Sequence, residues 1–422
     1  HVCAMFVGNL TPLLIITSAC GIAGGEFADL QVTLLQSAMF VAGVVTLVQL
    51  FTIGPVGGSV PIIMGTSSGF IGVFNSVVGS MGGGVLAYGA IMGASIIGGI
   101  FESVLGFFLK PLRKFFPSVV TGTVVLSIGL SLISVGVNSF GGGNAAKDFG
   151  SAENLLLAVF VLVVILFFKH WTTGFLSSSS ILIGIVATTL LSMCLGYSPV
   201  PHGISDIVST SMPHMGETFG KLDIVGAWNY GIVSIIFTFT VVELFDNMGT
   251  LIGLTSKAKL VKPNGEIENL DRALTTDAVG TICSSIFGTS TVTSYIESAA
   301  GIAAGGKTGL TAVTVSICFL IALLFAPLVG LVPGFATAPP LILVGALMMS
   351  EVGKINFVDF SDGLPAFLTI IMMPLTGSIA NGFAFGFVSY VFMKTAVGKY
   401  KEISWIMWLV SLAFVINLVM RS

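Results

Sequence analysis

Five carboxylates sit inside long apolar runs of this chain: Glu102, Glu243, Asp246, Asp277 and Glu297. Four of them fall within 55 residues, from Glu243 to Glu297, and no lysine or arginine shares those runs to pair with them. An acid at bilayer depth costs about 2.5–3.5 kcal/mol and survives where it faces a bundle interior or a water-filled cavity. Crowded acids cannot all ionise at once. At least one of the group is therefore expected to bind and release a proton near physiological pH, which is what proton-coupled movement of a solute requires. Sodium is the weaker alternative, because no loop of further oxygen ligands accompanies the acids. Glu243, Asp246, Asn247 and Thr250 stand at i, i+3, i+4 and i+7, one face of a helix. Asp277 follows Thr276 and precedes Thr281 by one turn. Glu102, among Gly98, Gly99 and Gly106, reads equally as a cap on a neighbouring helix, and Glu243 equally as a rim residue.

Glu297 belongs to a polar stretch held between apolar runs, Gly288-Thr-Ser-Thr-Val-Thr-Ser-Tyr-Ile-Glu-Ser-Ala-Ala-Gly301. The stretch has a partner: residues 65–68 read Gly-Thr-Ser-Ser and residues 288–291 read Gly-Thr-Ser-Thr, an offset of 223. From each glycine the chain counts 52 residues to a proline (Pro117, Pro340) and 57 to a glycine (Gly122, Gly345). Interrupted apolar segments at matching places in two halves are the best sequence pointer to a binding site in a transporter. The spacing predicts two half-helices meeting near the membrane midplane, with their N–H groups turned to a ligand. Backbone around Ser67, Ser68 and Gly69 and around Val292, Thr293 and Ser294 would supply those donors. Phe70 would offer a stacking face to a planar ligand.

These acids and broken segments must be carried by membrane spans. The chain is 55% apolar and 8% charged, with a mean hydropathy of +1.04, against about 25% charged in ordinary soluble proteins. Its net charge of −3 argues against nucleic acid as a partner. The five cysteines show no paired spacing, so neither a disulfide framework nor a metal site is expected. A histidine pair, His202 and His214, lies in a Gly-, Ser- and Pro-rich connection and reads as solvated. Apolar runs recur at 3–20, 34–53, 60–76, 84–109, 117–138, 154–169 and 179–196, then at 228–254, 273–287, 290–304, 308–332, 337–351, 363–376 and 379–397. The runs 60–76 and 290–304 are too short to cross alone. A further run at 404–420, with Trp405 and Trp408, suits either a span or an interfacial helix. With a cytoplasmic N-terminus, thirteen lysines and arginines fall in inner loops and two, Lys147 and Lys221, in outer ones, as the positive-inside rule asks. Seven spans per half then invert the second half relative to the first. The chain opens on His1 rather than methionine, so residues before it are expected, and 3–20 reads as a retained span.

The segment Phe245-Asp-Asn-Met-Gly-Thr-Leu-Ile-Gly253 and the run from Gly288 to Gly301 resemble the nucleobase/ascorbate transporter family, and there its adenine/guanine/hypoxanthine branch. The opening His1-Val-Cys-Ala-Met-Phe-Val-Gly-Asn and Val120-Thr-Gly-Thr-Val-Val-Leu-Ser-Ile-Gly129 are more similar to its uracil, xanthine and ascorbate branch. The resemblance implies an all-α polytopic membrane protein, a 7+7 inverted repeat of about fourteen transmembrane segments with broken third and tenth spans. It implies a core domain from 1–114 and 228–333, a gate domain from 115–227 and 334–422, and a homodimer formed through the gate and bathed in membrane lipid. It implies a symporter of the bacterial inner membrane, not an enzyme, that takes up a purine nucleobase by an elevator-like movement of core against gate. No cofactor is implied beyond the proton gradient. By position, Asp246 and Glu297 match the acids that hold the base, Asp277 the acid linked with proton coupling, and His1 the histidine of the first span; Asp246 and Glu297 are also candidate proton carriers. Thr250 stands where uracil permeases carry a histidine, which speaks against a pyrimidine. A base fits the residues themselves, since acids meet its N–H donors and half-helix N–H groups its ring nitrogens. A xanthine, uracil or ascorbate transporter, or an anion transporter or channel of the same architecture, is the alternative; an acid at the half-helix end opposes an anion.

Overall fold

The computed structural model describes residues 1–22, 25–107, 118–142, 148–209, 218–228, 269–295, 298–303, 305–376 and 379–421, and scattered positions from 239 to 258. The chain is mostly helical. In order come α1 (Val2–Cys20), α2 (Ala28–Leu50), a short strand β1 (Met64–Thr66), α3 (Ile71–Met81), α4 (Gly84–Phe107), α5 (Ser118–Phe140), α6 (Ala152–Trp171) and α7 (Ser180–Cys194). The second half gives α8 (Leu270–Ile286), β2 (Val292–Ser294), α9 (Ser298–Ala303), α10 (Gly309–Ala322), α11 (Gly334–Met348), α12 (Phe360–Thr376), α13 (Ile379–Ala396) and α14 (Trp405–Arg421).

Among the described residues four helices are long and apolar enough to cross a membrane, at Ala28–Leu50, Gly84–Val104, Ala152–Trp171 and Gly309–Val329. Their burial separates interior from lipid-facing helices. The apolar window of α2 is 72% buried and that of α6 only 28%. The sequences explain the contrast: α2 places Gln31, Gln36, Thr46 and Gln49 inside the bundle, whereas α6 turns Leu156, Phe167 and Trp171 outward. A helix apolar all round can face lipid, while one carrying amides needs partners inside. α6 starts on a cap, the Ser151 hydroxyl accepting from Asn154 N at 3.2 Å.

The closest packing joins α2 with α10, α4 with α8, α5 with α11, α6 with α7, and α12 with α13. At the α5–α11 crossing the two backbones nearly touch. A Cβ on Gly345 would lie 2.5 Å from the Gly129 carbonyl oxygen, and one on Gly129 2.9 Å from that of Gly345. Forcing extra methylenes into such a contact costs about 1–3 kcal/mol. Gly345→Leu is accordingly expected to lower the melting temperature of the purified protein, while Gly353→Ala, which meets open space, leaves it unchanged. At the ends of α12 to α14, Lys394 pairs with Asp362 and Glu402, both at 2.9 Å. Lys399 pairs with Asp359 at 2.7 Å. Lys399 and Ser361 hold the Asp359 carboxyl well below the usual carboxylate range.

The mostly helical chain agrees with the all-α expectation, but the interrupted segments do not meet as helix ends alone: β1 and β2 pair antiparallel, with Met64 opposite Ser294, Gly65 opposite Thr293 and Thr66 opposite Val292. Each interrupted segment enters as an extended strand whose backbone groups are met partly by the other strand and partly by the side chains of Asn9, Thr46, Thr281 and Asn247, since a lone extended strand in an apolar interior would leave them unpaired. The 223-residue offset also fails locally. The strands begin at 64 and 292, an offset of 228, so Gly288-Thr-Ser-Thr lies in the turn leaving α8 rather than at the counterpart of Gly65. The run 404–420 is the helix α14.

Candidate functional site

The crossing of β1 and β2 is the frame of the site. Gly65 sits at its centre because nothing larger fits. A Cβ there would lie 2.6 Å from Asn9 Oδ1 and from the Tyr295 ring and hydroxyl. Asn9, from α1, clamps the first strand: its Oδ1 accepts from Thr66 N at 2.9 Å, and its carbonyl oxygen accepts from the Thr66 hydroxyl. The Tyr295 hydroxyl lies 3.1 Å from Asn9 Oδ1 and 3.0 Å from the Thr66 carbonyl oxygen, one proton serving two acceptors. A helix, both strands and an aromatic residue are thus locked at one point.

Asn247 locks the second strand to the acids. Its Oδ1 accepts from the Thr293 hydroxyl and from Ser294 N at 3.4 Å, and its Nδ2 donates to Glu102 Oε1 at 3.2 Å. One turn before it, Glu243 Oε1 accepts from the Thr281 hydroxyl of α8, and Thr281 Oγ1 accepts from Val292 N at 3.1 Å. Asp277, four residues ahead of Thr281 on the same helix, receives the Ser294 hydroxyl at 3.2 Å from each of its oxygens. Glu102, Glu243, Asp246 and Asp277 feel one another electrostatically. Among the described residues no lysine, arginine or histidine forms an ion pair with Glu102, Glu243 or Asp277.

Exposure grades this cluster. Glu243, Asn247 and Asp277 are 0% exposed, whereas Asp246 keeps 8%, Thr250 7% and Thr293 5%. Asp246, Thr250 and Thr293 are buried but keep more exposure than Glu102, Glu243 and Asp277. Ser68 is half-buried and Gly69 buried at the entry to α3, where the Ser67 hydroxyl accepts from Gly69 N at 3.2 Å. Phe70 is fully buried, its ring 5.2 Å from Phe239 and 6.0 Å from Phe74, so it presents no open face in this conformation. His1 lies away from these contacts, with Nε2 3.1 Å from the Gly306 carbonyl oxygen and the ring against Gly301. Glu297 lies outside the described residues, as do His214 and Lys147.

The backbone of Val292, Thr293 and Ser294 does not serve as a ligand cradle here. Val292 N and Ser294 N donate to Thr281 and Asn247, and Thr293 sits in the strand ladder. Sequence reasoning misses Asn9 and Tyr295 as site residues; their signal is a lone amide and a lone phenol within apolar runs, each needing a partner. A separate cavity of about 250 Å³ opens between α1, α7 and the segment before α11, walled by Leu10, Leu14, Ile185, Leu190 and Val332. Its wall carries no charged residue, and its polar groups are the hydroxyls of Thr11, Thr189 and Thr337.

The arrangement is that of a buried polar cluster at the meeting of two interrupted segments, with no cationic partner for Glu102, Glu243 or Asp277 among the described residues, and sequence comparison bears on what it serves. The Xan_ur_permease model, described as a permease family, matches residues 1–413. The chain belongs to this nucleobase/ascorbate transporter family. It is an integral membrane transporter, not an enzyme. The adenine permease AdeQ of Escherichia coli is 35% identical over 359 residues, 82% of this chain and 77% of that protein. The guanine/hypoxanthine permease PbuO of Bacillus subtilis is 34% identical over 368 residues, 81% of this chain and 80% of that one. The transmembrane domain of the cyanobacterial bicarbonate transporter BicA superposes with a TM-score of 0.64 at 16% identity, covering 89% of this chain and 94% of that domain. SLC26A9 gives 0.65 at 13%, over 94% of this chain and 65% of that protein. At such identity these two speak to fold alone.

Proposed function

We propose that the chain takes up a purine nucleobase, adenine, guanine or hypoxanthine, together with a proton across a bacterial plasma membrane. The observation that carries this reading is the graded acid cluster. Asp246, Thr250 and Thr293 keep a residual exposure through which a base can hydrogen-bond, and Glu102, Glu243 and Asp277, without a cationic partner among the described residues, are buried more deeply. The purine permeases among its relatives support the choice of substrate. Asp246 accepts from the N–H donors of the base, Thr250 offers a hydroxyl that adapts to either role, and Thr293, whose proton goes to Asn247, offers lone pairs only. Glu297 is assigned the facing acceptor from its place in the motif, and Asp277 joins the proton-carrying group.

The movement is of a core built from 1–114 and 228–333 against a gate built from 115–227 and 334–422. Its support is the pairing of α2 with α10 and α4 with α8 on one side, and of α5 with α11 and α12 with α13 on the other. A second copy of the chain would hold the gate still. The N-terminus is placed in the cytoplasm by the distribution of lysine and arginine.

Uptake of labelled adenine, hypoxanthine and uracil into proteoliposomes tests the reading. A purine is expected to accumulate under an inward proton gradient and to stop doing so with a protonophore, with uracil excluded. Uptake that follows sodium, or accumulation of uracil in place of a purine, would overturn it.

A further inference from the structure

We propose that Glu102 and Glu243 share a single proton deep in the bundle, and that this pair is a proton-binding site of the transporter. The inference rests on the proton-coupled reading above and names a carrier for it. Both side chains are buried, at 1% and 0% exposure. Each has one oxygen accounted for: Glu102 Oε1 receives Asn247 Nδ2 at 3.2 Å, and Glu243 Oε1 receives the Thr281 hydroxyl. Among the described residues each has one oxygen, Oε2, sealed from solvent and without a donor. Asn247, which holds Glu102, stands one turn after Glu243, and Thr281, which holds Glu243, packs against Gly99 one turn before Glu102, so the two carboxyls are brought to the same place from both sides. Two bare carboxylates so placed would be acceptor against acceptor in a medium of low dielectric, with every unmet lone pair a cost. One proton turns the same geometry into an O–H donating to an O, and meets both unmet oxygens at once.

The surroundings single out this pair. Asp277 has both oxygens engaged by Ser294, and Asp246 keeps 8% exposure. Asn247, between Glu102 and the second strand, gives the proton a route to influence the ligand. The amide that holds Glu102 is the one that holds Thr293 and Ser294 N. Loss of the proton leaves two like charges that pull at Asn247, and through it at Thr293 and Ser294.

The test pairs spectroscopy with transport. Infrared difference spectra of the reconstituted wild type between acid and alkaline buffer are expected to show a protonated-carboxyl C=O band that Glu102→Gln and Glu243→Gln each remove and Asp277→Asn leaves in place. The amide introduced by Glu102→Gln keeps an N–H donor toward Glu243 and so preserves the fold. This variant is expected to bind purine and to exchange it across the membrane, yet to lose at least tenfold in gradient-driven accumulation. A band unaltered in both glutamine variants, or accumulation by Glu102→Gln at the wild-type level, would overturn the pair. Should the wild type itself accumulate no base, the band still decides whether the pair holds a proton, so failure of the transport reading is distinguishable from failure of this one.

Discussion

Asp246→Asn is expected to lower the affinity for a purine base by about 10- to 100-fold, the range set by about 1.5–3 kcal/mol for a hydrogen bond to a charged acceptor. The substitution keeps the volume of the side chain and exchanges an acceptor oxygen for an NH₂. A ligand N–H that met a carboxylate would then meet another donor, and the mismatch is worse than simple loss of a contact. Because Asp246 keeps 8% exposure, the fold should tolerate the change, and the melting temperature is expected to stay close to that of wild type. The measurement is equilibrium binding of adenine and hypoxanthine to purified protein, with melting curves alongside. A second comparison sharpens it: N-methylated purines, which lack one donor and are expected to be rejected by the wild type, should be rejected less by the variant. Unchanged affinity for the parent bases would remove Asp246 from the binding surface.

Asn247→Leu is expected to be the most damaging single change to stability, with a cost of about 3–6 kcal/mol. The figure follows from three polar groups left buried without a partner, at about 1–2 kcal/mol each. They are Glu102 Oε1, which loses its donor, and the Thr293 hydroxyl and Ser294 N, which lose their acceptor. Reduced yield and an earlier thermal transition in detergent are the readouts. Asn247→Asp separates the two sides of the bridge. It retains an acceptor for Thr293 and Ser294 but cannot donate to Glu102 while ionised. Its loss should therefore be smaller, and should shrink as the buffer is made more acidic, when the introduced carboxyl takes up a proton and donates again. A leucine variant as stable as wild type would show that these bonds are not made in the membrane.

Much of this was legible in the residue order, for physical reasons that differ from place to place. Runs such as 154–169 and 379–397 are apolar all round and have one stable solution in lipid, so α6 and α13 fall where expected. The acids were conspicuous because burying them is costly. Their grouping along one helical face placed Asp246, Asn247 and Thr250 together on periodicity alone. What the order could not carry was which distant residues meet. Glu102 read equally as a helix cap and as a functional acid, and its bond to Asn247, 145 positions away, is encoded by nothing local to α4. The strand pairing was missed because three-residue strands leave no alternating pattern to detect. Spacing counted from Gly65 and Gly288 misaligned the halves by five residues, since identical short motifs can serve different turns once the flanking helices end differently. Phe70 read as an open platform because an aromatic at a helix end is compatible with both roles. Its neighbours Phe74 and Phe239 decide between them, and only the first is near it in the chain.

The pairing of β1 with β2 also sets a schedule for biosynthesis. The Thr66 carbonyl receives the Tyr295 hydroxyl across 229 positions of chain, so the first strand is threaded into the membrane long before its partner exists. At about 5–20 residues per second, ribosomes need on the order of ten to fifty seconds to deliver the second strand. Through that interval the backbone of Met64 to Thr66 has no sheet partner in a medium that offers none. Thr46 and Asn9 of the first half can meet Met64 N and Thr66 N meanwhile, but the ladder across Gly65 waits for the second strand, so the nascent first half is expected to need shelter and to be open to quality-control proteases. Expressed alone, residues 1–227 should be degraded quickly, and co-expression of 228–422 should prolong their lifetime.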